Sequence, residues 1–119
     1  MLFKEIDQLR EEIEQILHDN KAVEVKSINL KDKTSIADFM IIASGNSSRH
    51  IQAISEILLE KLKKIGIKNC RLEGRSSSEW KLIDAVDIII LFFFFKKLSK
   101  SKVFLHFILS SRYSTKIFF

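Results

Sequence analysis

The apolar residues that open the chain recur every three or four positions, a spacing that places them on one stripe of an α-helix. They are Leu2, Ile6, Leu9, Ile13, Ile16 and Leu17. A first helix is therefore predicted from about Phe3 to Asp19. Its other face is rich in glutamate, which we interpret as solvated surface in preference to an acidic docking surface.

Two segments with the patterns of β-strands follow this helix. Ala22 to Leu30 partly alternates apolar and polar residues, as expected of a strand with one buried face. A polar turn is predicted at Lys31 to Lys33. Asp38 to Ala43 is apolar throughout after its first residue, which favours a strand in the middle of the sheet, covered on both faces.

The segment Ser44 to Ser48 is a loop by composition, and it precedes a second apolar stripe from Ile51 to Ile65. Ser47 or Ser48 is expected to accept a hydrogen bond from the first N–H groups of a second helix, which ends at Gly66. Those N–H groups could instead hold a phosphate. The loop has one glycine and no lysine directly after it, so it matches neither the P-loop nor the dinucleotide fingerprint.

Three further strands are predicted at Lys68 to Glu73, Glu79 to Ile83 and Asp87 to Phe92, with turns at residues 74–78 and 85–86. A helix, two strands, a long helix and then a run of strands indicate an α/β (α+β) fold. We expect a mixed β-sheet of about five strands, flanked by two or more helices.

The composition changes near residue 91. Residues 1–87 contain 14 basic and 15 acidic residues, whereas no acid follows Asp87, and eight of the ten phenylalanines follow Leu91. We predict one domain over residues 1–90 and an atypical basic, Phe-rich tail over residues 91–119. The tail has two open interpretations: a basic segment for a membrane surface or RNA, or the product of a change of reading frame near the codons for residues 88–95.

The sequence favours a protein of the cytoplasm. Cys70 is the only cysteine and cannot form an internal disulfide, which suits a reducing compartment, and we expect it to be a small buried residue. The N-terminus has no secretory h-region, and no apolar stretch approaches the roughly 18 residues of a membrane span. We expect no membrane association of the main domain.

Catalytic chemistry has little support in the sequence. Asp38, Asp84 and Asp87 could hold a metal ion for phosphoryl or nucleotidyl transfer. Asp84 and Asp87 flank a short turn, however, where aspartate commonly bonds nearby backbone N–H groups. The three histidines are far apart in the sequence. We expect no catalytic residue, metal, cofactor or small-molecule substrate, and keep a transferase as the alternative.

Trp80 is the only tryptophan. It follows the polar run Arg75 to Glu79 and begins the alternating segment that continues to Asp84. Tryptophan in this position is either part of a core or an anchor of a protein interface. Composition alone leaves both interpretations open.

Several residues and short segments occur in an order and spacing that carry a family resemblance. They are Lys21-Ala22-Val23, Asp38-Phe39, Ser44 to His50, Glu73-Gly74, Trp80, Leu82, Asp84 and Asp87. In these features the sequence resembles the ribosomal silencing factor family, also called Iojap or RsfS. The resemblance implies a mixed sheet similar in outline to nucleotidyltransferases, without their catalytic set. It also implies binding to ribosomal protein L-fourteen on the large ribosomal subunit, which hinders subunit joining and represses translation.

The resemblance identifies Trp80, Leu82 and Asp84 as expected partner contacts. Weaker candidates at the rim of this surface are Arg75, Glu79 and Lys81. Gly74 is expected to permit the preceding turn. The resemblance further implies that two copies of the chain pair.

One departure from the family concerns Val86, where the family usually has glycine. A β-branched residue at this position is strained if the turn requires a positive φ. The family's acidic and aromatic C-terminal stretch has no counterpart here. A degraded copy that no longer binds ribosomes therefore remains a further alternative.

Overall fold

The computed structural model describes residues 2–94. The elements in chain order are α1 (Phe3–Asp19), β1 (Val23–Asn29), β2 (Phe39–Gly45), α2 (Ser48–Lys64), β3 (Arg71–Glu73), β4 (Trp80–Asp84) and β5 (Ile88–Phe94). The predicted fold class is confirmed: two helices accompany a mixed sheet of five strands. No helix in this part of the chain has the length and apolar character needed to cross a bilayer.

The strands are ordered β1-β2-β5-β4-β3 in the sheet. β2 and β5 are parallel, and the other neighbours are antiparallel. β5 therefore lies between β2 and β4, at the centre of the sheet. This position explains why β2 and β5 are nearly continuous apolar runs, since interior strands are covered on both faces.

The two faces of the sheet carry separate apolar clusters. The helix-face cluster combines the apolar stripes of α1 and α2 with residues such as Ile41, Ile83 and Ile90. The second cluster contains buried residues from β2, β4, β5 and the segment before β2. They are Ala37, Met40, Leu82, Ile89, Leu91 and Phe93.

Several strand boundaries differ from the prediction, and those of β3 and β2 have a clear cause. β3 begins at Arg71 and not at Lys68, because the chain first closes α2: Gly66 adopts φ +98°, and the N–H of Ile67 donates to the carbonyl of Leu62 at 2.9 Å. β2 continues to Gly45, two residues into the predicted loop, because its pairing with β5 continues there. The loop therefore begins at Asn46.

β5 continues to Phe94, so the predicted domain boundary after residue 90 falls inside a strand. The apolar residues Leu91 and Phe93 join the second cluster, which accounts for the extension. Residues 95–119, on which both interpretations of the tail depend, lie outside the described residues.

The turn between β4 and β5 contains the strain expected at Val86. Its φ is +72°, a region that β-branched residues rarely adopt. The N–H of Ala85 donates to the carbonyl of Ile88 at 2.9 Å, and Asp84 Oδ1 accepts from the N–H of Val86 at 3.0 Å. The predicted turn role of Asp84 is thus confirmed. Two-residue hairpin loops of this kind favour glycine at the first position.

Candidate functional site

The loop between β3 and β4, residues 74–79, is closed by its own hydrogen bonds. Gly74 adopts φ +82°, which confirms that a glycine permits the turn, and its carbonyl accepts from the N–H of Ser77 at 3.0 Å. The hydroxyl of Ser77 then accepts from the N–H groups of Glu79 and Trp80, at 3.1 and 3.3 Å. These bonds tie the loop to the beginning of β4.

The indole of Trp80 lies directly against Gly74. A Cβ added to Gly74 would be 2.7 Å from Cζ3 of the ring and 2.9 Å from the carbonyl oxygen of Trp80. Trp80 is half-buried and packs against the second cluster. The two sequence interpretations therefore combine, since Trp80 packs against the core and is still partly accessible to solvent.

Arg75 and Glu79 are exposed on the same loop. We call these two residues together with Trp80 the Trp80 surface. Asp84 lies at the other end of β4, about 13 Å away at the usual rise of a strand. Its carboxylate pairs with Arg71 at 3.3 Å and also bonds within the turn. The exposed candidates therefore divide between the loop that leads into Trp80 and one acid at the far end of β4, and Arg75 lies on the side of the loop that faces α2.

Leu82 does not have the exposed side chain that a direct contact requires. It is 1% exposed and lies within the second cluster, alongside Leu91, its cross-strand partner in β5. The expectation of a direct partner contact is therefore corrected for Leu82. Its apolar side chain supports β4 from within the core.

The expectation for Lys81 is also corrected, because its charged end points inward. Lys81 is 3% exposed, and its Nζ donates to the carbonyls of Gly74 at 2.8 Å and Arg75 at 3.3 Å, and to that of Ser77. Burial lowers the pKa of Lys81, while Glu56 acts in the opposite direction. One sign of this burial is visible in the sequence, a charged residue between Trp80 and Leu82. In the structure this position of β4 faces α2.

A small cleft adjoins this lysine. It has a volume of about 50 Å³ and is lined by Gln52, Ser55, Glu56, Leu72, Arg75 and Lys81. Sites for small organic ligands commonly occupy about 300–1,000 Å³. The cleft therefore has room for water beside the ammonium group and none for a nucleotide.

The aspartates of the transferase alternative lie at the ends of paired strands. Asp38 and Asp87 precede the paired strands β2 and β5, and the N–H of Asp38 donates to the carbonyl of Asp87 at 2.8 Å. Asp84 forms the neighbouring turn. Within residues 2–94, no group of three or more His, Cys, Asp or Glu side chains is arranged to hold a metal ion.

The loop before α2 uses its N–H groups internally. Of the two serines predicted as caps, Ser47 caps the helix, since its hydroxyl accepts from the N–H of His50 at 3.0 Å. The N–H of Asn46 donates to His50 Nδ1 at 2.9 Å, so Nε2 carries the proton that is donated to the carbonyl of Asn20 at 2.9 Å. This bridging role of His50 has no signal in the sequence. The arrangement favours capping over phosphate binding.

Comparison with known proteins gives a consistent assignment. Residues 4–97 match the model of the family described as "Ribosomal silencing factor during starvation". The ribosomal silencing factor RsfS of Zymomonas mobilis is 43% identical over 77 residues, which cover 65% of this chain and 58% of that protein. The RsfS protein of Halalkalibacterium halodurans is 40% identical over 72 residues, covering 60% of this chain and 62% of that one. This chain thus spans about six tenths of the length of these relatives.

Solved structures agree with the sequence relatives. A crystal structure of a Chromobacterium violaceum protein has a TM-score of 0.74 and 28% identity, with 87% of this chain and 83% of that chain covered. A Bacillus halodurans protein gives a TM-score of 0.71 at 28% identity, with 85% and 90% covered. Because the family match spans most of the chain and the folds agree, this chain belongs to the ribosomal silencing factor family.

Proposed function

We propose that this chain binds the large ribosomal subunit at ribosomal protein L-fourteen, hinders joining of the small subunit and so represses translation in the cytoplasm. Family membership supports the general role of a silencing factor. The observation that carries the proposal is the half-buried Trp80, which begins β4 directly after a loop that is closed by internal hydrogen bonds and carries the exposed Arg75 and Glu79.

The Trp80 surface has the physical properties of an interface anchor. Tryptophan and arginine are enriched among the residues that dominate binding energy, and each costs on the order of 2 kcal/mol or more when truncated. A loop that is already ordered loses little conformational entropy on binding. The carboxylate of Glu79 would face a basic ribosomal protein, which adds charge complementarity.

Such a mechanism requires no bond to be made or broken. A protein bound at the face where two subunits meet excludes the second subunit by its volume alone. We therefore propose that the chain acts without catalysis, metal or cofactor. The interactions that hold it in place determine its activity.

Co-sedimentation with purified large subunits tests this proposal. Trp80→Ala is expected to weaken binding about 30-fold, which corresponds to about 2 kcal/mol. Ile65→Ala, at an apolar residue that is 53% exposed beyond the end of α2, is the matched control and should bind like the original chain. Equal binding by the original chain and Trp80→Ala would contradict the proposed surface. Absence of binding by the original chain would favour a degraded copy.

A joining assay tests the consequence of binding. Light scattering follows the formation of whole ribosomes from the two subunits, and the original chain should reduce its extent when added to the large subunit first. Undiminished joining at saturating protein would contradict the obstacle mechanism.

Sedimentation of the free chain tests the pairing of two copies that the resemblance implies.

A further inference from the structure

Lys81 is the one charged residue among residues 2–94 that is buried. Removing an ammonium group from water is unfavourable unless hydrogen bonds compensate it. An ammonium has three N–H donors, and here three backbone carbonyls accept from it. All three belong to the loop of residues 74–79, so the lysine has a specific structural target.

The hydrogen bonds of Lys81 connect directly to the geometry of Trp80. The carbonyl of Gly74 accepts from Lys81 Nζ, and the indole ring occupies the space that a Cβ on Gly74 would need. Ser77 has a similar double role, because its carbonyl accepts from Nζ and its hydroxyl accepts from the N–H of Trp80. Moving either residue would move the ring.

We propose that Lys81 is a positioning residue, whose ammonium group holds residues 74–77 in the conformation that presents the indole of Trp80 to the partner. The proposal rests on the proposed function, since it concerns the same surface. Lys81 itself lies on the face of β4 opposite Trp80 and is covered by α2. It therefore acts on the partner only through the loop.

If Lys81 only filled space between β4 and α2, an uncharged residue would be more favourable at this position. Methionine has a comparable length and avoids desolvation of a charge, and apolar replacements of buried charged groups are often neutral or stabilising. Methionine cannot donate to carbonyls, however. Replacing Lys81 should therefore loosen the loop while leaving the packing of β4 against α2 largely intact.

The sole tryptophan gives a direct readout of loop position. In Lys81→Met, acrylamide should quench Trp80 fluorescence more strongly, and the emission should move to longer wavelength. Binding to purified large subunits should weaken about tenfold, equivalent to about 1.4 kcal/mol. Lys81→Arg keeps a charged donor and should restore most of both properties. Lys63→Met, at an exposed lysine of α2, should change neither.

A pH series on folded protein provides a second measurement. The charged groups that face Lys81 across the cleft are Glu56 on α2 and Arg75 in the loop. As pH rises, loss of the proton from Lys81 removes one donor, so quenching of Trp80 should increase in the original chain. It should increase less in Lys81→Arg, because a guanidinium stays protonated. Far-UV circular dichroism verifies that both proteins remain folded.

Two results would overturn the positioning role. One is unchanged quenching and affinity in folded Lys81→Met, and the other is weakened binding with an unchanged environment of Trp80. If Lys81→Met does not fold, identical pH series for the original chain and Lys81→Arg would overturn it instead. If the original chain does not bind large subunits, the proposed function fails, while the quenching comparison still decides whether Lys81 positions Trp80.

Discussion

Val86 shows how a single side chain can oppose the local geometry. At φ +72° its Cβ and branched methyl groups crowd the backbone, and with 52% exposure they gain little from burial. Non-glycine residues in this region of φ are disfavoured by about 1–3 kcal/mol. The surrounding hydrogen bonds of the hairpin nevertheless impose this conformation. The turn is therefore a source of instability in this chain.

Replacing Val86 by glycine should relieve this strain. We expect the free energy of unfolding of Val86→Gly to rise by about 1 kcal/mol, after subtraction of the greater freedom of glycine in the unfolded chain. Urea denaturation measures the change. Val86→Ala is the control, because it keeps a Cβ at positive φ and should recover only a part of the gain. A less stable Val86→Gly would contradict the strain.

A comparison of alanine substitutions at Gly66 and Gly74 distinguishes the cost of backbone strain from the cost of a collision with Trp80. Both have positive φ, but a Cβ on Gly66 would have open space within 4 Å, whereas one on Gly74 would collide with the indole. Gly66→Ala should lower the free energy of unfolding by about 1 kcal/mol, and Gly74→Ala by about 3 kcal/mol. Denaturation curves test the difference, and equal losses would contradict the contact.

Individual residues were predictable where a local rule applies. A cap at Ser47 or Ser48 follows from the backbone requirements of a few neighbouring positions, whereas the roles of Gly74 and Val86 were implied by the family resemblance. The burial of Leu82 and Lys81 was not predictable in this way. The alternating pattern of β4 assigns them to opposite faces, but only the packing of other elements determines that both faces are covered.

At the scale of elements, the Trp80 surface depends on the two strands and the helix around β4. Every residue of β4 pairs with a residue of β5, and Trp80 lies opposite Phe93. β3 pairs only with residues 82–84, so the beginning of β4 is left to the loop of residues 74–79. α2 packs against β4 from the helix face and lines the cleft at Lys81. The site is thus formed where a short edge strand ends.

The cap of α2 gives a prediction for this element. Ser47→Ala removes the acceptor for the N–H of His50 and should lower the free energy of unfolding by about 1 kcal/mol. Ser48→Ala, one residue later in the first turn, should stay within about 0.5 kcal/mol of the original chain. Thermal or urea unfolding measures both. A larger effect at Ser48 would show that the cap is assigned to the wrong serine.

The elements themselves were largely predictable because their apolar periodicities are strong. The stripes of α1 and α2, and the continuous apolar character of β2, gave correct element types. β3 was predicted too long because residues 68–69 form a turn after the closure of α2, and the strand begins only at Arg71. Apolar periodicity does not indicate at which residue the segment after α2 ends and β3 begins.

At the scale of the whole molecule, the sheet order required information that the sequence pattern lacks. β5 pairs in parallel with β2, although two strands and a helix separate them along the chain. Pairing between distant segments depends on their mutual packing, so element order predicted a mixed sheet but not the strand arrangement. The proposed function rests on the family resemblance, because the sequence has no local motif of catalysis or ligand binding that would indicate one.

The proposed silencing depends on contact between the Trp80 surface and the large ribosomal subunit. A photo-crosslinking amino acid placed at Glu79 tests this contact, with a second variant at Glu12 on the exposed face of α1 as control. After irradiation of each variant bound to large subunits, mass spectrometry identifies the attached protein. If the Trp80 surface makes this contact, position 79 crosslinks to ribosomal protein L-fourteen and position 12 does not. Bound protein that crosslinks to L-fourteen from position 12 and not from position 79 would contradict it.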